Sequence, residues 1–581
     1  MSSLRLVTAL FAFARGRLVP PDHGKIAAAT EAVNCPSPPV KQAVQWQNYN
    51  GLFGRVAPYI DFDMFTGYIQ VAPENYLFYW YFSPRNGDPK APLVLYSNGG
   101  PGCSSMEAAT TENSPLSLVA SAESCSAYPD GCDFTQQFSN NPYSWNDHAH
   151  LLYVDNPRSV GFSFGTSFVD SSADSATDMV AFLVGFYQVY PELRDNKLVI
   201  SGESYSGRYL PSWGTAIMTH NKMASTSQLH INLAGVMIGN GWIVPKIQNI
   251  TSLAAYAEFA NMVPPGFTLP VREAGADDDN DDSVSGLHAT MRAYMGYVFN
   301  PYDIRQRNME CEGCMGYNFT GWTLFMQRED LRKALGVCPT AGTFPSFELE
   351  NQGCLPLSGF DADTTFSFQG AIGNLLDGGV EVLMYYGMSD TVCHFKGGES
   401  VAAVIPWSGR DAFNALHYSD LEVAGARVGS IKSQGRLSFA LVESSGHMVP
   451  ADQPATAAAL LDLLLTKIHT SESSGDGRSS PPSILSSSSP SSSPSSSSSS
   501  LLIDSMSPGA ISLWIVLAFL GGCATPSVVA RIWREYSARR SARKTPPLST
   551  LDSAISSIPS LSSSSSSSSS LEMADVIPRR L

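Results

Sequence analysis

Six short apolar runs recur between residues 92 and 447. They are "PLVLYSN" (Pro92–Asn98), "HLLYVDNP" (His150–Pro157), "KLVISGES" (Lys197–Ser204), "LAGVMIGNG" (Leu233–Gly241), "VEVLMYYG" (Val380–Gly387) and "LSFALVESSGH" (Leu437–His447). Most are near-continuous rather than alternating, as expected of strands covered on both faces. Helix-like segments lie between several of them, for example "SATDMVAFLVGFYQVYP" at Ser175–Pro191. This alternation predicts an α/β fold with a mostly parallel, doubly wound central sheet. In such a sheet, functional groups gather beyond the carboxyl ends of the strands.

The ends of the chain follow other patterns. The first residues, "MSSLRLVTALFAFAR", hold Arg5, an apolar stretch and the small residues Ala12 and Ala14, which predicts a secretory signal over 1–14. Near the other end, "GAISLWIVLAFLGGCATPSVVA" (Gly509–Ala530) is uncharged. Its twenty-two residues, at about 1.5 Å each, match a bilayer core of about 30 Å and predict a C-terminal transmembrane helix. Arg531–Lys544 then carries six basic residues against one acid, an excess that belongs on the cytoplasmic side. The expected arrangement is a single-pass type I anchor in a secretory-pathway membrane, with the bulk of the chain lumenal or extracellular. The Ser/Pro-rich stretch 471–508 buries too little to offset its ordering entropy and is expected to be a stalk; the region 531–581 is expected to be a basic, then Ser-rich, tail.

Composition narrows the function. A formal net charge of −16 argues against nucleic-acid binding, which needs stripes of Lys and Arg. The acidic run Asp277–Asp282 lacks calcium-loop spacing and reads as a solvated loop. Ten cysteines are present, and Cys311 and Cys314 stand without the second pair of a zinc ribbon. A disulfide framework in an oxidising compartment is expected, and sequons at Asn249 and Asn318 agree with it.

The chemistry lies at strand ends. Ser204 follows one strand in the sharp strand-to-helix turn "GESYSG", Asp390 follows another and His447 follows the last. Ser…Asp…His is the chain order of an α/β-hydrolase, in which the serine needs a base and the base needs an acid to fix its tautomer. Ser206 stands where the generic elbow motif has glycine.

Seven ordered blocks then resemble the serine carboxypeptidase family: "NGGPGCSS" (Asn98–Ser105), "NPYSWN" (Asn141–Asn146), "DNPRSVGFSF" (Asp155–Phe164), "GESYSGRYLP" (Gly202–Pro211), "IGNGW" (Ile238–Trp242), "YYGMSDTVC" (Tyr385–Cys393) and "SGHMVPADQP" (Ser445–Pro454). The resemblance implies an α/β-hydrolase domain over 35–470 with an inserted cap at about 241–374. It implies Ser204 as nucleophile, His447 as general base, Asp390 as its orienter, and the N–H groups of Gly100 and Tyr205 as oxyanion hole. It implies that Asn98, the Gly99 N–H and Glu203 hold the substrate's C-terminal carboxylate, with Glu112 hydrogen-bonded to Glu203. Paired carboxyls in a desolvated site stay protonated, so Glu203 would donate to that carboxylate and peptide hydrolysis would favour acid. Around Glu112, "TENSP" has Ser114 where the family has glycine; Met388 and Arg208 are further departures, replacing an acid and a histidine.

The resemblance also implies a Cys103–Cys354 bridge and a free thiol at Cys393, and Cys125–Cys132 is a local guess. Neither a metal nor another cofactor is expected. The layout of domain, stalk and anchor is similar to that of the pheromone-processing members of the fungal Golgi. Peptide or protein C-termini are the expected substrates. An acyltransferase on the same scaffold and a non-catalytic membrane-anchored binding protein are the alternatives.

Overall fold

The computed structural model describes residues 38–474, apart from 119–137, 170, 225–229, 268–280, 308–318, 339–352, 356–359, 361–362 and 364–367. The leader at 1–14, the span at 509–530, the tail at 531–581, the sequon at Asn318 and the Cys125–Cys132 pair lie outside the described residues, as does the stalk beyond Ser474. Among the described residues no helix is long and apolar enough to cross a membrane.

Each of the six apolar runs contains a strand: β3 (Leu93–Ser97), β4 (His150–Val154), β5 (Leu198–Glu203), β6 (Leu233–Gly239), β7 (Glu381–Gly387) and β10 (Leu437–Val442). They lie in the order β4-β3-β5-β6-β7-β10, and every neighbouring pair is parallel. Successive residues serve opposite faces. Leu93, Leu95, Ile200, Val236, Met384 and Phe439 enter one core, and Val94, Tyr96, Val199, Met237, Tyr385 and Ala440 the other. Burial on both faces is why these strands read as continuous apolar runs rather than as alternation.

The expectation of a mostly parallel sheet needs correction, because antiparallel strands extend both edges. On one side β1 (Met64–Ala72) and β2 (Asn75–Phe82) pair antiparallel, and β2 joins β4 antiparallel. On the other, β8 (Ser419–Val423) and β9 (Ala426–Gln434) form a hairpin that pairs antiparallel with β10. The reason is local. Val423 faces Ala426 across a two-residue turn in which Ala424 and Gly425 have φ of 51° and 76°. Two left-handed residues in a two-residue loop match the twist of an antiparallel hairpin, and so short a link cannot make a parallel crossover.

Helices cover both faces. On the first lie α1 (Ser172–Val189), α2 (Ser206–Met223), α5 (Gln369–Asp377) and α6 (Phe395–Val404), through Phe182, Phe186, Trp213, Leu375 and Val401. On the second lies α7 (Pro454–Ser474), through Leu460, Leu461 and Leu464. Helix α7 continues past Ser471, where the Ser-rich composition begins. Residues 241–368 between β6 and α5 include α3 (Ile250–Phe259), α4 (Asp281–Met295) and a segment at 299–307 that reaches back to the strand ends.

Candidate active site

Ser204 sits between the last residue of β5 and the first of α2, at a φ of 59°. A left-handed conformation costs an L-residue about 1–2 kcal/mol. Here it is over-determined: the Ser204 N–H donates to Gly239 O at 3.0 Å, and its carbonyl accepts from Gly207 and Trp242 N–H at 2.9 and 2.8 Å. The small residues around it answer to close backbone approach. A Cβ on Gly202 would overlap the Ser97 carbonyl, and one on Gly99 would overlap the Tyr205 nitrogen and the Ser204 side chain. Ser206 is tolerated where glycine is usual because its hydroxyl donates to Ser97 O at 2.8 Å.

Two further strand ends bring His447 and Asp390 to the same place. His447 Nδ1 lies 2.6 Å from Asp390 Oδ2, and Asp390 is fully buried. Asp390 accepts three more hydrogen bonds: from Asn240 Nδ2 at 2.9 Å, Cys393 N–H at 3.2 Å and Val392 N–H at 2.8 Å. The two loops are tied by Ser389 N–H donating to Ser445 O at 2.8 Å. Ser204 and His447 line one cleft, with no direct hydrogen bond between them among the described residues. Unliganded sites commonly show this contact loose, and it tightens with substrate. The buried Cys393 thiol carries no disulfide; burial first, then Asp390, pushes its pKa well up, and Ser204 beside it works in the opposite direction.

The cleft encloses about 560 Å³ including its mouth. Asn98, Gly99, Gly100, Glu203, Ser204 and His447 all line it, and the Cys103–Cys354 disulfide forms part of its wall. Gly100 has φ 111°. Neither the Gly100 nor the Tyr205 N–H donates to a protein acceptor among the described residues, so both can serve an oxyanion.

At the inner end, three acids are buried close together. Burial, then Glu112 and Glu107, raises the Glu203 pKa well above the carboxylate range. Burial raises Glu112 to about 8 against hydrogen bonds from Asn98 and Tyr96 that lower it. Burial and Glu112 raise Glu107 strongly. The expected hydrogen bond between Glu112 and Glu203 is not made. Asn98 Nδ2 reaches Glu203 Oε1 at 3.3 Å, and Tyr96 donates to Glu112 Oε2 at 3.4 Å. The Asn98 amide lies beside both carboxyls. Asn98 Oδ1, Glu112 Oε1 and Glu203 Oε2 are buried without a hydrogen-bond partner.

Sequence reasoning missed four contributors. Asn240, in "IGNGW", holds Asp390 and has φ 37°. Tyr302 accepts the His447 N–H at 2.8 Å through its carbonyl and sets its ring edge-on to the imidazole, centroids 4.9 Å apart. No local pattern announces Tyr302, because it arrives from the inserted region. Glu107 lines the cleft. Asp155 accepts from Ser104 Oγ at 2.7 Å, Ser105 N–H at 2.9 Å and Phe162 N–H at 2.7 Å, pinning the glycine-rich loop from behind. Asp155→Ala is expected to cost roughly 3–5 kcal/mol by stranding buried donors, read as a lower denaturant midpoint at unchanged m. Of the other expected residues, Asn249 caps α3 by accepting from the Thr251 and Ser252 N–H groups.

A doubly covered sheet with a strained serine, an acid and a histidine beyond the ends of three of its parallel strands defines the α/β-hydrolase class. The profile of the serine carboxypeptidase family matches residues 55–467, and the chain belongs to that family, an enzyme of the serine carboxypeptidase type. It is 30% identical over 430 residues to carboxypeptidase Y homolog A of Botryotinia fuckeliana, covering 69% of this chain and 72% of the relative. It is 30% identical over 407 residues to serine carboxypeptidase-like 49 of Arabidopsis thaliana, covering 66% and 73%. Its fold is similar to that of Kex1Δp, a prohormone-processing carboxypeptidase from Saccharomyces cerevisiae, with TM-score 0.55 and 21% identity over 73% of this chain and 95% of that one.

Proposed function

We propose that this enzyme removes the last residue of peptides or proteins through an acyl-enzyme on Ser204, in the secretory or endomembrane system. His447 takes the serine proton as the hydroxyl attacks the terminal peptide carbonyl, and Asp390 holds the imidazole tautomer. The oxyanion accepts from the Gly100 and Tyr205 N–H groups. His447 returns the proton to the leaving amine, and water then cleaves the ester with the same base. No step calls for a metal or other cofactor. The span at 509–530 would anchor the enzyme, with the catalytic domain lumenal or extracellular.

One observation carries the exopeptidase reading: Glu203, raised well above the carboxylate range, has a buried Oε2 without a partner in the cleft that holds Ser204. A protonated carboxyl there donates to a substrate carboxylate instead of repelling it. The Asn98 amide and the Gly99 N–H complete that recognition, and Glu112 sets the charge of the group. Loss of the Glu203 proton weakens binding, and protonation of the base disables attack, so peptide hydrolysis favours mildly acid conditions.

The test is release of a free amino acid from an N-blocked dipeptide, compared with the same dipeptide carrying a C-terminal amide. Release that strongly prefers the free carboxylate is expected. Equal turnover of both forms, or transfer of the acyl group to an alcohol without free amino acid, would overturn the reading.

A further inference from the structure

The segment at 299–307 belongs to the inserted region, yet it is stitched to both loops that carry the acid and the base. On the Asp390 loop, Pro301 O accepts from Thr391 N–H at 2.8 Å, and Ile304 N–H donates to Ser389 O at 2.9 Å. On the His447 loop, Tyr302 O accepts the His447 N–H at 2.8 Å. The approach is close: a Cβ on Gly446 would overlap the Tyr302 carbonyl and the Asp303 side chain.

Arg305 closes this stitch. Its guanidinium donates to Asp303 twice, Nε to Oδ1 and Nη2 to Oδ2, both at 2.7 Å. Nη2 also lies 2.7 Å from Asp452 Oδ2, and Nη1 donates to the Ser444 carbonyl. Asp452 Oδ2 in turn accepts the Gly446 N–H at 2.7 Å. Ser444 and Gly446 lie just before the base, so one side chain fixes the approach to His447. That approach needs fixing. Ser444 has φ 55°, a strained conformation that persists only where its neighbours over-determine it. Its carbonyl accepts from Arg305 and from Gln453 Nε2, the latter at 2.9 Å. An isolated surface ion pair would contribute little. This one is a planar fork on the buried Asp303, and such bidentate pairs add geometric specificity to energy.

Resting on the hydrolytic reading above, we propose that Arg305 is a positioning residue for the reaction: it clamps Ser444 and Asp452 to Asp303 and thereby sets the His447 imidazole against Asp390 and Ser204. The inserted region is then a working part of the acid–base pair. Arg305 does not line the cleft, so its loss acts on turnover and leaves substrate binding alone.

The experiment compares full-length wild type, Arg305→Ala and Arg305→Lys, with rates referred to the folded fraction. In Arg305→Ala, kcat for an N-blocked dipeptide should fall about 10- to 100-fold, the range of a catalytic group displaced by about 1 Å. KM should change less than about threefold. The rate of fluorophosphonate labelling at Ser204 should fall by the same factor as kcat, because that reaction needs the base and no peptide. Arg305 is 36% exposed, so methylguanidinium in solution can enter the gap; below denaturing concentrations it should restore part of both rates in Arg305→Ala and leave the wild type unchanged. Arg305→Lys keeps the charge but cannot fork to Ser444, and should lose about 3- to 10-fold in both rates; it serves as the test if Arg305→Ala does not fold. Folded variants with wild-type kcat and labelling rate, even if they unfold at lower denaturant, overturn the assignment and leave the carboxypeptidase reading intact. A rise in KM at unchanged kcat overturns it equally. Labelling that slows in the variants, with no amino acid released by any form, supports the clamp and overturns the hydrolytic reading alone. A wild type that neither labels nor releases an amino acid overturns both.

Discussion

Ser204→Ala is expected to lower kcat for blocked dipeptides by 10⁴-fold or more, with KM little changed. Removing the nucleophile of a concerted triad loses nearly all of its contribution, and only oxyanion stabilisation and binding remain. The measurement is free amino acid released at saturating substrate, paired with mass analysis after a fluorophosphonate. The wild type should gain one adduct on Ser204 and the variant none. Amino-acid release that persists in the variant at near wild-type rate removes Ser204 from the mechanism. The elbow adds an independent check. Alanine keeps the cost of φ 59°, whereas glycine adopts that conformation without it. Ser204→Gly should therefore unfold at a higher denaturant concentration than Ser204→Ala, by about 1 kcal/mol. Equal stability would mean that the turn is not strained.

Glu203→Ala should separate two substrate classes. With a peptide ending in a free carboxylate, kcat/KM is expected to fall about 10²- to 10³-fold, the loss of one or two charge-assisted hydrogen bonds in a desolvated pocket. With the corresponding ester, which brings no carboxylate, the fall should be less than about threefold on the same scale. The pH dependence has a definite sign. Burial pushes Glu112 to about 8 and Glu203 well above the carboxylate range. The neutral, donating form therefore persists above the ordinary carboxylate range and is lost as pH rises further. KM for the peptide should be lowest on the acid side and climb as pH rises and Glu203 loses its proton, while KM for the ester stays level. In Glu203→Gln the amide donates at every pH, so the alkaline climb should disappear even if binding is weaker. A peptide KM that falls on going alkaline contradicts the assignment.

These expectations rest unequally on sequence. The six parallel strands were legible because burial on both faces leaves unbroken apolar runs, as in "LVLYS" and "LLYV". The hairpins at the sheet edges were not, although "NYLFYWYF" is as apolar as any other run. Its direction is set by a tight turn to the preceding strand, a property of the link and not of the strand. The elbow was legible because a backbone packed against Ser97 and Tyr205 admits only small neighbours. Asn240 and Asp155 stood in quoted blocks without an assigned role, since a side chain that solvates or anchors another leaves no periodic mark.

The sequence by itself determined the strands, the strained serine and the order of the three groups at their ends. Those follow from local rules: which side chains tolerate burial on both faces, and which positions admit only a small neighbour. The tertiary structure alone decided what lies across the cleft. It set the Asn98 amide beside Glu203 and Glu112, which share no hydrogen bond, and brought Tyr302 from the inserted region onto His447. Charge states in such a cluster depend on burial and on neighbours distant in the chain, and only the folded arrangement specifies either.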